Sequence, residues 1–297
     1  MTENTRGALL MMASMACFTI NDTFVKMVGG ALPLFQILFL RGVLTTTLLV
    51  LLALRLRGLR LRIPRRDAGL VLLRTLSEVG AAWFFLTALF NMPLANVTAI
   101  LQVLPLTVAL GGALIFGERL GWRRLTAILV GFGGMLLIVR PGPEGFSLYA
   151  GYALAAVALV TVRDLATRRM SGAVPSLTVT VAAAAGVTLF ALPGMVAQGW
   201  EPVTPGQAGL LACSALFVMG GYLFSVLVMR AGEVAVTAPF RYTGLVWALV
   251  LGWLAFGEWP SALTLAGAAI IAATGIYTML REARLARASR RAARAQL

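Results

Sequence analysis

The chain has 297 residues, of which 60% are hydrophobic and 12% charged, and it carries a formal net charge of +14 without a single histidine. An ordinary soluble domain has about a quarter of its residues charged, so no soluble core can hide this many apolar side chains. The missing histidine removes the commonest general base and metal ligand, which argues against hydrolytic and metal-centred chemistry.

Apolar runs of about 20 residues recur along the whole length, each long enough to cross a bilayer. Lipid offers no partner to a free backbone N–H or C=O, so such runs must be helical. Ten spans are predicted, at 7–28, 33–54, 68–90, 94–116, 122–140, 147–168, 174–196, 206–229, 235–256 and 262–280. The first begins at Gly7, follows almost no basic stretch and exceeds the length of a signal peptide. It reads as a first span and not as a cleaved leader. Pro33, Pro64, Pro93, Pro175, Pro205 and Pro260 stand at or near run starts, where a missing N–H costs least. Cys17 and Cys213 lie inside separate runs without metal-ligand spacing and read as packing residues.

The loops set the orientation. Arg55, Arg57, Arg60, Arg62, Arg65 and Arg66 lie between spans two and three, and Arg119, Arg123 and Arg124 between four and five. Arg168 and Arg169 follow span six, Arg230 follows span eight, and the tail carries six more arginines from Arg281 to Arg294. The alternate loops hold no Lys or Arg, although Lys26 and Arg140 sit just inside span ends on that side. This bias predicts both termini in the cytoplasm, with the charge facing anionic lipid and not nucleic acid. The tail arginines recur mostly every three residues among alanines, which predicts a short basic helix lying on the membrane.

The chain also repeats itself. Phe116-Gly117-Glu118 ends span four and Phe256-Gly257-Glu258 ends span nine, 140 residues later. Thr19-Ile20-Asn21-Asp22, with Lys26 and Pro33, matches Thr161-Val162-Arg163-Asp164, with Arg168 and Pro175, at an offset of 142. A duplication of this length divides the chain into 1–142, 143–280 and a basic tail, 281–297. Each half holds five spans, an odd number, so the second half is inverted with respect to the first. Inverted repeats build many secondary transporters, with substrate at the repeat interface near the midplane.

Further signals are Ala88-Leu89, Leu94-Ala95-Asn96-Val97-Thr98-Ala99-Ile100, Pro105-Leu106, Gly117-Glu118, Gly131 and Gly134 in the first half. In the second half they are Ala238-Pro239-Phe240-Arg241-Tyr242-Thr243 and Leu254-Ala255-Phe256-Gly257-Glu258. In this order, and doubled, they make the chain resemble the EamA branch of the drug/metabolite transporter superfamily over nearly its whole length. The resemblance implies an all-α polytopic membrane protein of ten helices in two inverted five-helix repeats, set in a bacterial-type inner membrane. It implies transport of small metabolites, among them aromatic amino acids, riboflavin and S-adenosylmethionine, with no cofactor and no metal. It also implies an acidic residue where this chain has Arg241.

Charged side chains inside spans are expensive and face a cavity or a partner. Arg41, about two turns into span two, either holds a substrate carboxylate or braces the bundle. Arg74 and Glu78 share a helix face at i, i+4 and read as a self-neutralising pair or as a gate and proton site. Asp22 and Arg163-Asp164 lie near opposite faces, as snorkelling interface residues or as two gates with Lys26 and Arg168 as i, i+4 partners. Arg241 follows Pro239, whose missing N–H frees a carbonyl, and is the strongest single candidate for substrate binding. Tyr242 adjoins it, and Gln102 is its match 140 residues earlier. Trp83, Tyr222 and Trp247 are the aromatics that either line an apolar cavity or simply pack. Gly131 and Gly134 read as close helix contacts, since small residues let backbones approach in lipid.

The reading that follows is a secondary transporter working by alternating access, with arginines on an anionic group and aromatics on an apolar remainder. A neutral or aromatic amino acid is the first substrate class, and riboflavin, S-adenosylmethionine or another nucleotide-like metabolite the alternative. Coupling rests on a proton at Glu78 or is absent, and no Walker motif points to direct use of ATP. An intramembrane enzyme is the alternative of a different class; it would need a nucleophile and base converging at one depth.

Overall fold

The computed structural model describes residues 3–295 except 57, 61–62, 118–120, 141–146, 172 and 229–236. Glu118 and the loop arginines Arg57, Arg62, Arg119 and Arg230 therefore lie outside the described residues. Among the described residues the elements are helices: α1 Glu3–Val28, α2 Leu34–Arg55, α3 Arg65–Asn91, α4 Leu94–Leu101, α5 Leu104–Phe116, α6 Trp122–Val139, α7 Leu148–Arg169, α8 Ser176–Gln198 and α9 Pro205–Val228. A 3₁₀ turn, Ala238–Tyr242, leads into α10, Thr243–Phe256, and α11 spans Ala262–Ala295. Among the described residues nine helical stretches are long and apolar enough to cross a membrane, and Leu125–Val139 is a shorter apolar one.

The punctuation works as the residue types dictate. Pro33, Pro64, Pro93 and Pro175 each occupy the position just before a helix, with φ between −63° and −54° and ψ between 138° and 143°. Proline is already fixed at that φ and has no donor to leave unpaired. Gly117 and Gly257 close α5 and α10 in the left-handed region, at φ 68° and 64°, which only glycine enters without strain. The glycine of each Phe-Gly-Glu motif is thus a helix terminator.

The packing carries the repeat into three dimensions. Exchanging the two halves maps α1 to α7, α2 to α8, α3 to α9, the α4–α5 span to the 3₁₀–α10 span, and α6 to α11. The strongest helix pairs are α1 on α9, α3 on α7, α2 on α8 and α6 on α11, and α4 packs on α10. Under the exchange α1–α9 becomes α3–α7, and each of the others becomes itself. The two halves are therefore joined along every layer. Spans four and nine are also broken at the same register: α4 ends at Leu101 and the 3₁₀ turn at Tyr242. Gln102 Nε2 crosses between the breaks and donates to the Arg241 carbonyl at 3.3 Å.

One expectation needs correction. The arginine tail is not a separate helix lying on the membrane; α11 runs unbroken from Ala262 to Ala295. Alanine and arginine are both strong helix formers, and no glycine or proline follows Gly275 to stop the span.

The glycines of α6 meet α11. A Cβ on Gly134 would stand 2.9 Å from the Gly267 carbonyl oxygen, whereas one on Gly133 meets nothing within 4 Å. Gly134→Leu should destabilise the protein by about 1–3 kcal/mol through overpacking, and Gly133→Leu should leave it within about 0.5 kcal/mol. Thermal unfolding of the two variants in one detergent checks this. Equal losses would mean that α6 and α11 do not touch through Gly134.

Candidate functional site

A cavity of about 100 Å³ lies between α2, α3, α8 and α9, that is, between the two halves. Its polar lining is Arg41, Thr45, Arg74, Glu78, Thr180 and Tyr222. Arg41 and Thr45 share a face of α2 at i, i+4, as do Arg74 and Glu78 on α3. Leucine, valine and alanine side chains complete the walls, and the small residues Gly42, Ala183 and Ala184 leave the space open.

The charges around this cavity form a chain. Glu78 lies 3.2 Å from Arg163 Nη1 and 4.0 Å from Arg74 Nη1. Arg163 also pairs with Asp164 at 2.8 Å. Arg74 donates to the Thr167 hydroxyl at 3.0 Å and the Val179 carbonyl at 3.4 Å. Arg41 lies within electrostatic reach of Asp22 and Glu78, and Arg241 within reach of Asp164. Four arginines thus face three carboxylates, Asp22, Glu78 and Asp164, and the set is one positive charge in excess.

Partners separate the arginines into two kinds. Arg74 and Arg163 are held by carboxylate and hydroxyl groups. Arg41 and Arg241 make no hydrogen bond and no ion pair through their guanidinium groups among the described residues. Five N–H donors left open in a water-poor interior are a strong demand for an anion. Only Arg41 of these two lines the cavity.

The structure distributes the other sequence candidates as follows. Tyr222 lines the cavity, edge-on to Phe18 with centroids 5.4 Å apart. Asp22 accepts from the Asn21 amide at 2.9 Å. Gln102 is buried at the span-four break, beside Gly244. The Tyr242 ring is buried against Gly275, and its hydroxyl has no hydrogen-bond partner among the described residues. Trp83 belongs to an aromatic cluster with Phe84 and Tyr152, at 4.8 and 5.8 Å, and does not line the cavity. Trp247 stands half-buried on α10, also off the lining.

Lys26 does not turn to Asp22. Its ammonium reaches Glu258 Oε1 at 2.7 Å and the Met92 carbonyl at 2.6 Å, and lies over the Phe256 ring at 4.9 Å. The second Glu258 oxygen accepts from the Leu94 N–H at 2.9 Å. This latch lies at the face opposite the termini, where Gln36 and Glu201 also exchange two hydrogen bonds, at 2.7 and 3.0 Å. Arg168 likewise stacks on Phe116, at 5.5 Å, the repeat counterpart of Lys26 on Phe256. Sequence reasoning read Glu258 as a helix terminator and missed it as a partner. The signal was its coincidence with Lys26 at the same end of the bundle. Thr45 was missed because a lone threonine in a span carries no signal of its own.

Comparisons with known proteins fit this geometry. The model of the EamA-like transporter family matches residues 5–140 and again 147–281. The pseudopaline exporter CntI of Pseudomonas aeruginosa is 29% identical over 268 residues, covering 89% of this chain and 93% of that protein. A riboflavin transporter of Rhizobium johnstonii is 27% identical, over 78% of this chain and 75% of its own. An S-adenosylmethionine uptake transporter of Rickettsia prowazekii is 23% identical and covers 93% of each chain. A solved crystal structure shares the fold, with a TM-score of 0.66 at 19% identity over 95% of this chain and 99% of that one. With two family matches in tandem, nine long apolar helices and a shorter tenth among the described residues, and a charged cavity between the halves, this multi-pass membrane protein belongs to the EamA-like transporter family.

Proposed function

We propose that the protein carries a small amphipathic metabolite bearing a carboxylate, of the neutral or aromatic amino-acid class, across a bacterial-type inner membrane with both termini in the cytoplasm. The units 1–142 and 143–280 rock against each other, and the cavity opens to each side in turn. Arg41 takes the carboxylate, Tyr222 flanks the apolar part, and Arg241 completes the anion path on the side of the termini. Glu78 holds the local arginines in place and is the group available to a coupling proton.

The observation that carries this reading is Arg41, a guanidinium on the cavity wall with no hydrogen-bond or ion-pair partner among the described residues, Asp22 and Glu78 lying only within electrostatic reach. A second reading, a nucleotide-like metabolite, draws on the relatives that carry riboflavin and S-adenosylmethionine.

Counterflow in proteoliposomes tests both. Trapped unlabelled aromatic amino acid should drive saturable uptake of the labelled compound. Arg41→Ala should raise the half-saturating concentration by about tenfold or more, the loss expected for a hydrogen bond to a charged group. Arg41→Lys should fall between, since it keeps the charge but not the fork. Uptake unchanged in Arg41→Ala would move the anion site to Arg241. Absent amino-acid uptake, with riboflavin or S-adenosylmethionine exchanged instead, would select the second reading.

A further inference from the structure

We propose that the groove between α6 and α11, at the end of the bundle that carries the termini, is a binding site for an acidic phospholipid of the adjoining leaflet. The groove has a volume of about 380 Å³ and lies on the outer side of the α6–α11 pair, away from the cavity between the halves. The two helices come into backbone contact at Gly134 and Gly267. Beyond that contact the facing side chains are small, Ala127 on α6 and Ala273 on α11, and the space between the helices is left unfilled.

The walls suit an acyl chain. The Thr126 hydroxyl donates to the Arg123 carbonyl at 3.0 Å, and the Thr274 hydroxyl to the Ile270 carbonyl at 2.8 Å. Both polar atoms are therefore satisfied within their own helices. From Trp122 to Val130 the trough runs roughly 12 Å along α6 at 1.5 Å per residue, a depth that fits part of one leaflet. Val130 and the neighbouring Leu129 are 55% and 60% exposed, so the trough opens toward lipid.

The rim suits an acidic headgroup. Trp122 and Tyr277 flank the mouth, the position aromatic side chains favour at a membrane interface. Arg123 lies over the Trp122 ring at 5.3 Å and forms no ion pair among the described residues. From α11, Arg281 reaches across to α6, with Nη2 3.7 Å from where a Cβ on Gly121 would stand. Two arginines above an apolar trough match the charge and shape of a phosphate above an acyl chain, and basic recesses between spans are known to hold such lipids.

Native mass spectrometry of the full-length protein, given equal amounts of phosphatidylglycerol and phosphatidylcholine, tests the site. The wild type should retain phosphatidylglycerol preferentially. Arg123→Gln with Arg281→Gln should cut that retention by about tenfold or more, at roughly fivefold per arginine. Arg65→Gln with Arg66→Gln removes the same charge from the same end of the bundle, away from the groove, and should keep the lipid bound. Equal loss in both pairs would reduce the effect to general attraction. No preference in the wild type, or displacement of the lipid by inorganic phosphate, would overturn the proposal.

Discussion

Glu78→Gln is expected to lower the stability of the folded bundle by about 3 kcal/mol, near the bottom of the range for breaking a buried ion pair. The side chain is 19% exposed and stands between Arg163, 23% exposed, and Arg74, 14% exposed. Removing its charge leaves two guanidinium groups in a water-poor site with one carboxylate fewer. Arg163 keeps Asp164 at 2.8 Å, which is why the loss falls at the lower end. Arg74 keeps only a hydroxyl and a carbonyl. A second substitution, Arg74→Gln, should therefore recover part of the loss, and the two changes together should cost less than their sum by about 0.5–3 kcal/mol. Denaturant unfolding of the four proteins in the cycle measures this. Strict additivity would mean that Arg74 and Glu78 do not act as a pair. Counterflow adds a functional reading: if Glu78 carries the coupling proton, exchange survives in Glu78→Gln vesicles while uptake driven by a pH difference is lost.

Much of the architecture was legible because it is written in local chemistry. Apolar length gives a span, proline gives its start, and Phe-Gly gives its end, and each of these acts within a few residues of itself. The duplication was legible for the same reason, since Gly117 and Gly257 mark identical stops. The joint break of spans four and nine was half visible. Pro239 signalled one side, and numerical matching brought in Gln102; Pro105, which cannot bond the Leu101 carbonyl, was the local signal that α4 would stop there, and it was read only as part of the family resemblance. The charge pairing was the least legible part. One of the two readings of Asp22 gave it Lys26, four residues away, as its partner; Lys26 instead found Glu258, 232 residues along the chain. Arg74 and Glu78 do meet, at 4.0 Å, but Glu78 lies closer to Arg163. The i, i+4 rule says which side chains share a face of one helix; which charge meets which is decided by the neighbour that face turns toward. In lipid, where no solvent competes, that neighbour wins.

Glu258 makes the same point with a larger expected effect, because its carboxylate does two jobs at once. One oxygen pairs with Lys26 on α1, and the other accepts from the N–H of Leu94, the first residue of α4. That N–H needs an outside acceptor: it belongs to the first turn of a helix, and Pro93, in the capping position, has no side-chain oxygen to offer. A carboxylate there also meets the positive end of the helix dipole. Glu258→Ala should therefore cost about 3–5 kcal/mol, the pair and the cap being lost together. Lys26→Met should cost less, since it removes the pair but leaves the cap, and the double variant should fall short of the sum. The informative variant is the exchange, Lys26→Glu with Glu258→Lys. A lysine at 258 restores opposite charges but cannot accept from Leu94, and it sets a cation against a helix N-terminus. Its stability should stay close to that of Glu258→Ala. If the exchange instead restored wild-type unfolding, the latch would be an ion pair alone, and the Phe-Gly-Glu motif would owe its glutamate to α1 and not to the start of α4.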